Sequence, residues 1–274
     1  MSKALAVFHG RFGRATVYQL NRRFNTHAHR EGHLIFYVDG TPAVANVCNE
    51  RYYLDHRSIV AVNPWESHNF IPSPLDEGGI FLVLYVNAEW FAPDAGNSCR
   101  LRFGRNHFKR TAGLDQDIRR TAALVCNAPS LTHLDGELRR LIEICYEESW
   151  QQAQRAQEAR VTGINDFRVR KSIKLISESP RAEIQLDTIA RESGLSRPHF
   201  YRLFRTETGI TPNLYLNTLV MERALDALVT TESQVADIGF DLGFSSQSAF
   251  THFFAGNVGM APTEYRRVAK VLRT

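Results

Sequence analysis

The chain has little of what marks secreted or membrane proteins. Only four of its 274 residues are cysteine, and none of them forms a CxxC pair: Cys48, Cys99, Cys126 and Cys145. Widely spaced cysteines in a chain long enough to bury a core predict reduced thiols in a cytoplasmic protein. The richest apolar run, Ile80 to Val86, is far shorter than the ~18 residues of a membrane span. The first residues contain no long apolar segment typical of a signal peptide.

The chain also has only a small excess of positive over negative charge. The chain has 33 lysines and arginines against 29 aspartates and glutamates, which gives a net charge of +4. Such a mild excess permits a polyanionic partner without requiring one. The hydrophobic content of 43% is that of an ordinary folded protein, and the length predicts about two domains.

The N-terminal third has the pattern of β-structure. Short apolar segments are separated by turn-forming residues such as Asn63-Pro64, and the segments are Leu34–Val38, Ala43–Val47, Ser58–Val62 and Ile80–Val86. Strands this short and evenly spaced predict a small barrel or sandwich. No alternation of strands and helices occurs, which disfavours a parallel sheet of the Rossmann type.

Helical periodicity begins near Leu114, and a second apolar stripe runs from Leu134 to Cys145. That stripe has two interpretations: it packs against the β-structure, or it forms a homodimer. A polar segment without an apolar face follows it and is the best candidate linker. We therefore predict an N-terminal domain over 1–150, a linker over 151–165 and a C-terminal domain over 166–274.

The C-terminal part contains an internal repeat. The segments Leu186–Ser196 and Val235–Ser245 share their apolar positions, a small residue and a glycine, and an aromatic pattern follows each of them. Two copies of about fifty residues are fewer than the roughly three that a solenoid needs. The repeat instead predicts two similar small modules.

Each module has the signals of two helices joined by a tight turn. Gly194 and Gly243 can adopt the positive φ that ends the first helix. Asp187 is placed to cap that first helix. Ser196 in the first module, and either Ser245 or Ser246 in the second, are placed to cap the second helix. A helix, a glycine turn and a second helix form the helix-turn-helix arrangement, whose second helix enters the DNA major groove.

The stretch Ile184–Arg267 resembles the DNA-binding domain of AraC/XylS-type transcription regulators. The similar segments are LDTIARESGLSRPHFYRLFRTETGITPNLYL and VADIGFDLGFSSQSAFTHFF, followed by GMAPTEYR. The resemblance implies that a long helix over Pro212–Val229, capped by Thr211, joins the modules and holds both second helices in successive major grooves about 34 Å apart. It also implies double-stranded DNA, RNA polymerase and a second copy of the chain as partners.

The same resemblance assigns DNA-contacting positions. They are Arg197, Pro198, Tyr201 and Arg202 in the first module, and Gln247, Ser248, Thr251 and His252 in the second. Arg202 can donate two hydrogen bonds to guanine, and Gln247 can pair with adenine in the same bidentate way. Arg205 is expected to hold a phosphate. Ala255-Gly256 stands where the family often has a basic pair, so the second module is expected to bind DNA more weakly.

The N-terminal region resembles the cupin pattern at His27-x-His29-x3-His33-x6-Gly40, with a later His68. His33 occupies the position of the glutamate in metal-binding cupins. Three alternatives follow. The four histidines hold a divalent metal such as Zn, Ni, Cu or Fe, or they line an organic effector pocket with Tyr37 and Trp65, or they do neither. The first three histidines share odd parity, so a continuous strand would direct them to one face.

These observations predict an α+β two-domain protein. A cupin-like β-barrel with trailing helices precedes an all-α domain of two helix-turn-helix modules joined by a linker helix. The function predicted is sequence-specific transcription regulation in response to a small-molecule effector, without enzymatic activity or membrane insertion. The alternative is a metal-dependent cupin enzyme, of dioxygenase or isomerase type, fused to a DNA-binding domain. No nucleophile–base signature supports it.

Overall fold

The computed structural model of the chain describes residues 2–73, 78–92, 101–127, 131–151, 164–178 and 184–272. Within them a β-rich N-terminal domain precedes a helical C-terminal domain, so the predicted mixed α+β class is confirmed. Cys99 and most of the predicted linker lie outside the described residues. The three described cysteines are free thiols. No helix in the described ranges is both long and apolar enough to cross a membrane.

The β domain contains nine of the described strands and three helices. The strands are β1 (Lys3–Gly10), β2 (Gly13–Leu20), β3 (Gly32–Gly40), β4 (Ala43–Val47), β5 (Glu50–Leu54), β6 (Ser58–Val62), β7 (His68–Pro72), β8 (Gly79–Val86) and β9 (His107–Lys109). The helices are α1 (Ala88–Phe91), α2 (Ala112–Cys126) and α3 (Leu131–Gln151). All four predicted strands are present.

The helical domain follows with seven helices and one further strand among the described residues. They are α4 (Phe167–Glu178), α5 (Leu186–Glu192), α6 (Arg197–Thr208), α7 (Pro212–Thr230), α8 (Val235–Asp241), α9 (Gln247–Val258), α10 (Pro262–Val268) and β10 (Ala269–Val271). The strand β10 was not predicted. It pairs in parallel with β1. Without β10, β1 would be an edge strand with unpaired backbone groups.

The strands form two sheets. The larger has the order β10-β1-β2-β8-β3-β6-β9 and the smaller the order β5-β4-β7. One face of the larger sheet packs with side chains of the smaller sheet, where Ala45 and Phe70 meet residues such as Val60 and Val83. This core continues into α7, α8 and α9 of the helical domain, so the two domains share buried side chains.

The helices α2 and α3 contribute their apolar stripes to a core on the large sheet. Ile118, Leu138 and Cys145 are fully buried there with strand residues such as Leu34 and Leu84. The packing interpretation of the α3 stripe is therefore confirmed. Because the stripe is already covered within one chain, these side chains offer no surface to a second copy.

The backbone of both helix-turn-helix modules follows the predicted pattern. Gly194 and Gly243 have φ values of 74° and 79°, which turn the chain after α5 and α8. The Thr211 hydroxyl accepts from the amide of Leu214 at 3.2 Å and caps α7, as predicted. The Ser246 hydroxyl caps α9 by accepting from the amide of Ala249 at 3.2 Å.

Two predicted caps are wrong in detail. Asp187 does not cap α5, because Gln185 occupies the N-cap position and Asp187 already lies in the first turn. Ser196 occupies the N-cap position of α6 but makes no side-chain hydrogen bond there. Asp187 instead forms an ion pair with Arg197, described below.

Candidate nucleic-acid interface and interdomain site

The second helix of the first module, α6, buries one face and exposes the other. Phe200 and Phe204 are fully buried, and each contacts an aromatic neighbour edge-on. Arg202 and Arg205 are exposed on the remaining surface. This division follows from phenylalanines placed at helical spacing. It leaves the two guanidinium groups accessible to a duplex.

Arg197, at the start of α6, already has a protein partner. Its Nη1 lies 3.1 Å from Oδ2 of Asp187, and its guanidinium carbon lies 5.8 Å from the centre of the Tyr201 ring. Both members of the ion pair are more than half exposed, so the pair contributes little to stability. The carboxylate of Asp187 instead holds the Arg197 side chain beside the first helix of the module.

The second helix of the second module, α9, is built in the same way. Phe250 and Phe254 are fully buried, whereas Gln247, Ser248 and His252 are exposed. Gly239 of α8 allows the close approach of the two helices, since a Cβ there would lie 3.0 Å from the Cβ of Phe250. Three of the four positions expected to contact DNA are thus exposed, and the fourth, Thr251, is half-buried. Their contacts with DNA stay a prediction.

The helix α7 connects the modules and is buried along much of its length. Its 19 residues correspond to about 28 Å at ~1.5 Å per residue. That length is comparable to the ~34 Å between successive major grooves on one face of DNA. A spacer of this kind limits how far the two modules can move relative to each other.

The β domain binds directly to the second module. The amide of Asn25 donates to the carbonyl of Gly256 in α9 at 2.7 Å. Gly256 and the following Gly259 also face this segment, because a Cβ on either would overlap the side chains of Asn25 and Phe24 respectively. The absence of the family's basic pair at Ala255-Gly256 thus coincides with a contact between domains.

The β domain also contacts the start of α7, beside the first module. The ring of Trp65 stacks on Tyr215 with centroids 4.6 Å apart and an interplanar angle of 14°. Thr218 donates its hydroxyl to the carbonyl of Ala28 at 3.2 Å. One short segment of the β domain, residues 25–29, therefore contacts α7 and α9; we call it the docking segment.

Four histidines come together beside this segment. The ring centroid of His68 lies 4.2 Å from that of His27, 5.2 Å from that of His29 and 4.6 Å from that of His33. One nitrogen from each of His27, His29 and His68 lies within 4.8 Å of the others. The predicted convergence is present, although not on one continuous strand. His27 forms an isolated bridge with His68, and only His33 lies in β3.

Burial keeps these imidazoles neutral. It lowers the pKa of His27 to about 4, with the charge of Arg14 acting in the same direction. Burial also lowers the pKa values of His29, His33 and His68 well below the ordinary value, reinforced by the neighbouring histidines. A neutral imidazole retains one nitrogen lone pair, which is the form that binds a metal or accepts a hydrogen bond.

Sequence reasoning missed Arg14, a buried arginine at the boundary between the domains. Its side chain is buried, with its guanidinium 3.7 Å above the centre of the Tyr85 ring and Nη1 3.4 Å from the hydroxyl of Tyr265. Its Nε has no hydrogen-bond partner, and no carboxylate of the described residues forms an ion pair with it. Burial opposes the charge, but Tyr265, Tyr85 and Glu31 raise the pKa of Arg14 above its usual value.

A cleft of about 310 Å³ opens over Arg14, between the domains. Its lining residues are His9, Gly13, Arg14, Arg30, Glu31, Glu222, Leu225 and Asp226. Arg30 and Asp226 are exposed at its rim, whereas Arg14 is buried at its floor. Burial raises the pKa of Glu222 to about 7, partly offset by Arg30 at 3.5 Å.

The two aromatic residues predicted to line an effector pocket have other contacts. The Trp65 ring stacks on Tyr215, although its amide donates to the carbonyl of His29 at 2.8 Å. Tyr37 packs edge-on against Phe81 and donates its hydroxyl to the carbonyl of Gly40 at 2.6 Å. Neither ring belongs to the histidine cluster in the described contacts.

Comparison with known proteins places the helical domain among transcription regulators. A helix-turn-helix domain family matches residues 189–268. The regulatory protein SoxS of Salmonella typhimurium is 34% identical over 94 residues, which are 34% of this chain and 88% of SoxS. The transcriptional activator RhaS of Escherichia coli is 32% identical over 85 residues, 31% of each chain. Each of these two matches therefore spans about a third of this chain.

Solved structures of one protein, ToxT, match nearly the whole chain. The crystal structure of ToxT from Vibrio cholerae covers 93% of this chain and 96% of its own, with a TM-score of 0.60 and 16% sequence identity. At this identity the similarity concerns the fold alone. The β-rich N-terminal region and the helical domain thus occur together in another protein.

Proposed function

The chain belongs to the AraC family of transcription regulators, and we propose that a small carboxylic acid bound between its domains controls how it binds DNA. The observation that carries the proposal is Arg14, a buried guanidinium whose Nε has no partner. A buried charge is costly unless it is paired. A carboxylate entering the cleft would supply the missing partner in a bidentate geometry that suits arginine.

The position of the cleft supports a regulatory role. Its walls come from β1, β2 and the segment at residues 30–31 on one side, and from α7 on the other. A ligand that contacts both walls has different affinities for docked and separated domains. Such a difference is what allows a ligand to shift an equilibrium between two arrangements.

The comparison with ToxT supports the choice of ligand class. ToxT has been solved with an unsaturated fatty acid bound and with (E)-4-(8-methylnaphthalen-1-yl)but-3-enoic acid bound. Both ligands carry one carboxylate on an apolar body. In this chain the carboxylate would meet Arg14, and the apolar body would meet Leu225. Glu31 and Glu222 at the same cleft favour an acid that also carries a hydrogen-bond donor.

We also propose the finer features of the regulator. The β domain acts as a cupin-like sensor barrel, and the chain works in the cytoplasm as a homodimer that contacts RNA polymerase and catalyses no reaction. Support comes from the two sheets that share one core, from the regulator names of the relatives and from the prevalence of twofold dimers among oligomers. Sedimentation of the purified chain with and without operator DNA tests the dimer. A monomer on DNA would contradict it.

The effector proposal is tested by DNA affinity in the presence of added acids. Straight-chain carboxylates from butyrate to decanoate, with and without an amino or hydroxyl group, are titrated against the full chain bound to its selected DNA site. We expect at least one acid to change the DNA dissociation constant severalfold. Arg14→Met should abolish the response, while Arg51→Ala, an exposed arginine of β5, should retain it. If no acid acts, or if Arg14→Met responds like the parent, the proposal is wrong.

A further inference from the structure

The histidine cluster has the donor set of a metal site. The rings of His27 and His29 lie 4.9 Å apart, and those of His29 and His33 lie 5.1 Å apart. His27, His33 and His68 are buried, with exposures of 8%, 2% and 5%. Four imidazoles in one buried cluster are uncommon as packing residues, because histidine is usually at least partly exposed.

Hydrogen bonds to backbone carbonyls fix the tautomer of two of the rings. Nδ1 of His27 lies 2.7 Å from the carbonyl of Asn25, and Nδ1 of His68 lies 2.9 Å from the carbonyl of Glu66. A carbonyl only accepts, so each Nδ1 carries the proton and each Nε2 keeps its lone pair. This is the arrangement by which outer hydrogen bonds fix the tautomer of metal-binding histidines.

The other two rings have buried nitrogens without partners. Nε2 of His29 and Nδ1 of His33 make no hydrogen bond. Buried polar atoms are nearly always satisfied, and each exception needs an explanation such as an ion. Together the four rings offer lone pairs or unpaired nitrogens that no described protein group uses.

We propose that His27, His29 and His68, with His33 as a fourth ligand, bind a divalent transition-metal ion that holds the docking segment in place. Imidazole suits Zn²⁺, Ni²⁺, Cu²⁺ and Co²⁺. Zn–N distances of about 2.0–2.1 Å would draw the ligand nitrogens closer than the 4.8 Å within which three of them lie.

The ligands share a segment with the contacts between domains. Ala28, between His27 and His29, accepts from Thr218 of α7, and Asn25 donates to Gly256 of α9. The carbonyl of His29 accepts from Trp65, whose ring stacks on Tyr215. An ion that fixes His27 and His29 therefore fixes the segment that holds α7 and α9. An effect of the ion on DNA affinity rests on the proposed regulatory function, but binding of the ion does not.

The test uses the full chain without a histidine tag and without DNA. Co²⁺ is titrated into metal-free protein, and visible absorption reports its coordination, while mass spectrometry of dialysed protein gives bound Zn²⁺ per chain. We expect one ion per chain and a tetrahedral Co²⁺ spectrum. His29→Gln removes a direct ligand and should weaken binding by more than the roughly tenfold that loss of an outer hydrogen-bond partner costs. His133→Ala, at an exposed histidine of α3, should bind like the parent.

Hydrogen exchange tests whether the ion holds the docking segment in place. Zn²⁺ should slow exchange of the Asn25 amide in the parent chain but not in His29→Gln. The parent chain keeps the test valid even if His29→Gln fails to fold, since a missing Co²⁺ spectrum in the parent overturns the proposal. Substoichiometric metal, or equal binding by His29→Gln and the parent, overturns it as well. The carboxylate titration is done on chelated protein, so failure of either proposal leaves the other standing.

Discussion

The backbone amide of Asn25 donates a hydrogen bond to the carbonyl oxygen of Gly256 over 2.7 Å. This bond joins the docking segment of the β domain to α9, the helix that carries Gln247 and His252. A Cβ at position 256 would overlap the amide nitrogen of the Asn25 side chain, so any larger residue there must displace that side chain. This peptide-to-peptide contact adds to the shared core and to the β10–β1 pairing, which also join the second module to the β domain.

Gly256→Arg should loosen this contact. The new side chain would occupy the space of the Asn25 side chain and separate the docking segment from α9. We expect faster hydrogen exchange at the Asn25 amide and a lower melting temperature of the full chain. Gly136→Arg is the matched control, since Gly136 of α3 is exposed and a Cβ there would have no neighbouring atom within 4 Å. Equal exchange at Asn25 in both variants would contradict the account.

Arg202→Ala should weaken specific DNA binding by roughly 1–3 kcal/mol and relax the preference at one base position. The reason is loss of a bidentate donor to guanine from an exposed position of α6. Fluorescence anisotropy on the selected site and on its single-base variants measures both effects. Arg205→Ala serves for comparison and should weaken binding by a similar factor on every sequence. An unchanged base preference in Arg202→Ala removes this assignment.

Tyr265→Phe should destabilise the junction of the two domains. The fully buried hydroxyl lies 2.7 Å from Nε2 of His9 and accepts from Arg14 at 3.4 Å. Its removal leaves buried polar groups without a partner, which costs about 1–3 kcal/mol. Thermal unfolding should shift downward by several degrees, whereas Tyr53→Phe, at a tyrosine that is 63% exposed, should shift little. A melting temperature equal to that of the parent would show that the hydroxyl is not needed.

Glu222→Gln should be more stable than the parent above neutral pH. Burial raises the pKa of Glu222 to about 7 in the folded chain, from an ordinary value of 4.5. The folded state then binds more protons between these values, so its stability falls as the pH rises through this window. The variant should melt about 2–4 °C higher than the parent at pH 8 and lose that advantage near pH 5. A constant difference across this range would contradict the shift.

The local structure of the modules could be predicted because local sequence determines it. The roles of three features depend only on residues close by in the chain: the glycines at the turns, Thr211 before a proline, and the phenylalanines at helical spacing. Asp187 shows the limit of this reasoning. Its position inside the first turn, too late for a cap, was invisible in the pattern, and its partner Arg197 lies across the turn between two helices.

The contacts between domains could not be predicted because they join distant parts of the chain. Trp65 was expected to line a pocket, yet its ring stacks on Tyr215. Arg14 carried no signal in the sequence, since an arginine is usually exposed. The histidines were identified by parity, but their rings meet through a bridge between His27 and His68, a pairing that only the fold defines.

The most direct test of the account is selection of bound DNA from a random pool by the full chain, by Arg202→Ala and by Gln247→Ala. Two helix-turn-helix modules joined by α7 predict an enriched site with two conserved blocks whose centres lie about 10 base pairs apart. Arg202→Ala should lose sequence information in one block and Gln247→Ala in the other. An absence of enriched sequence, or two variants that select the same site as the parent, would contradict it.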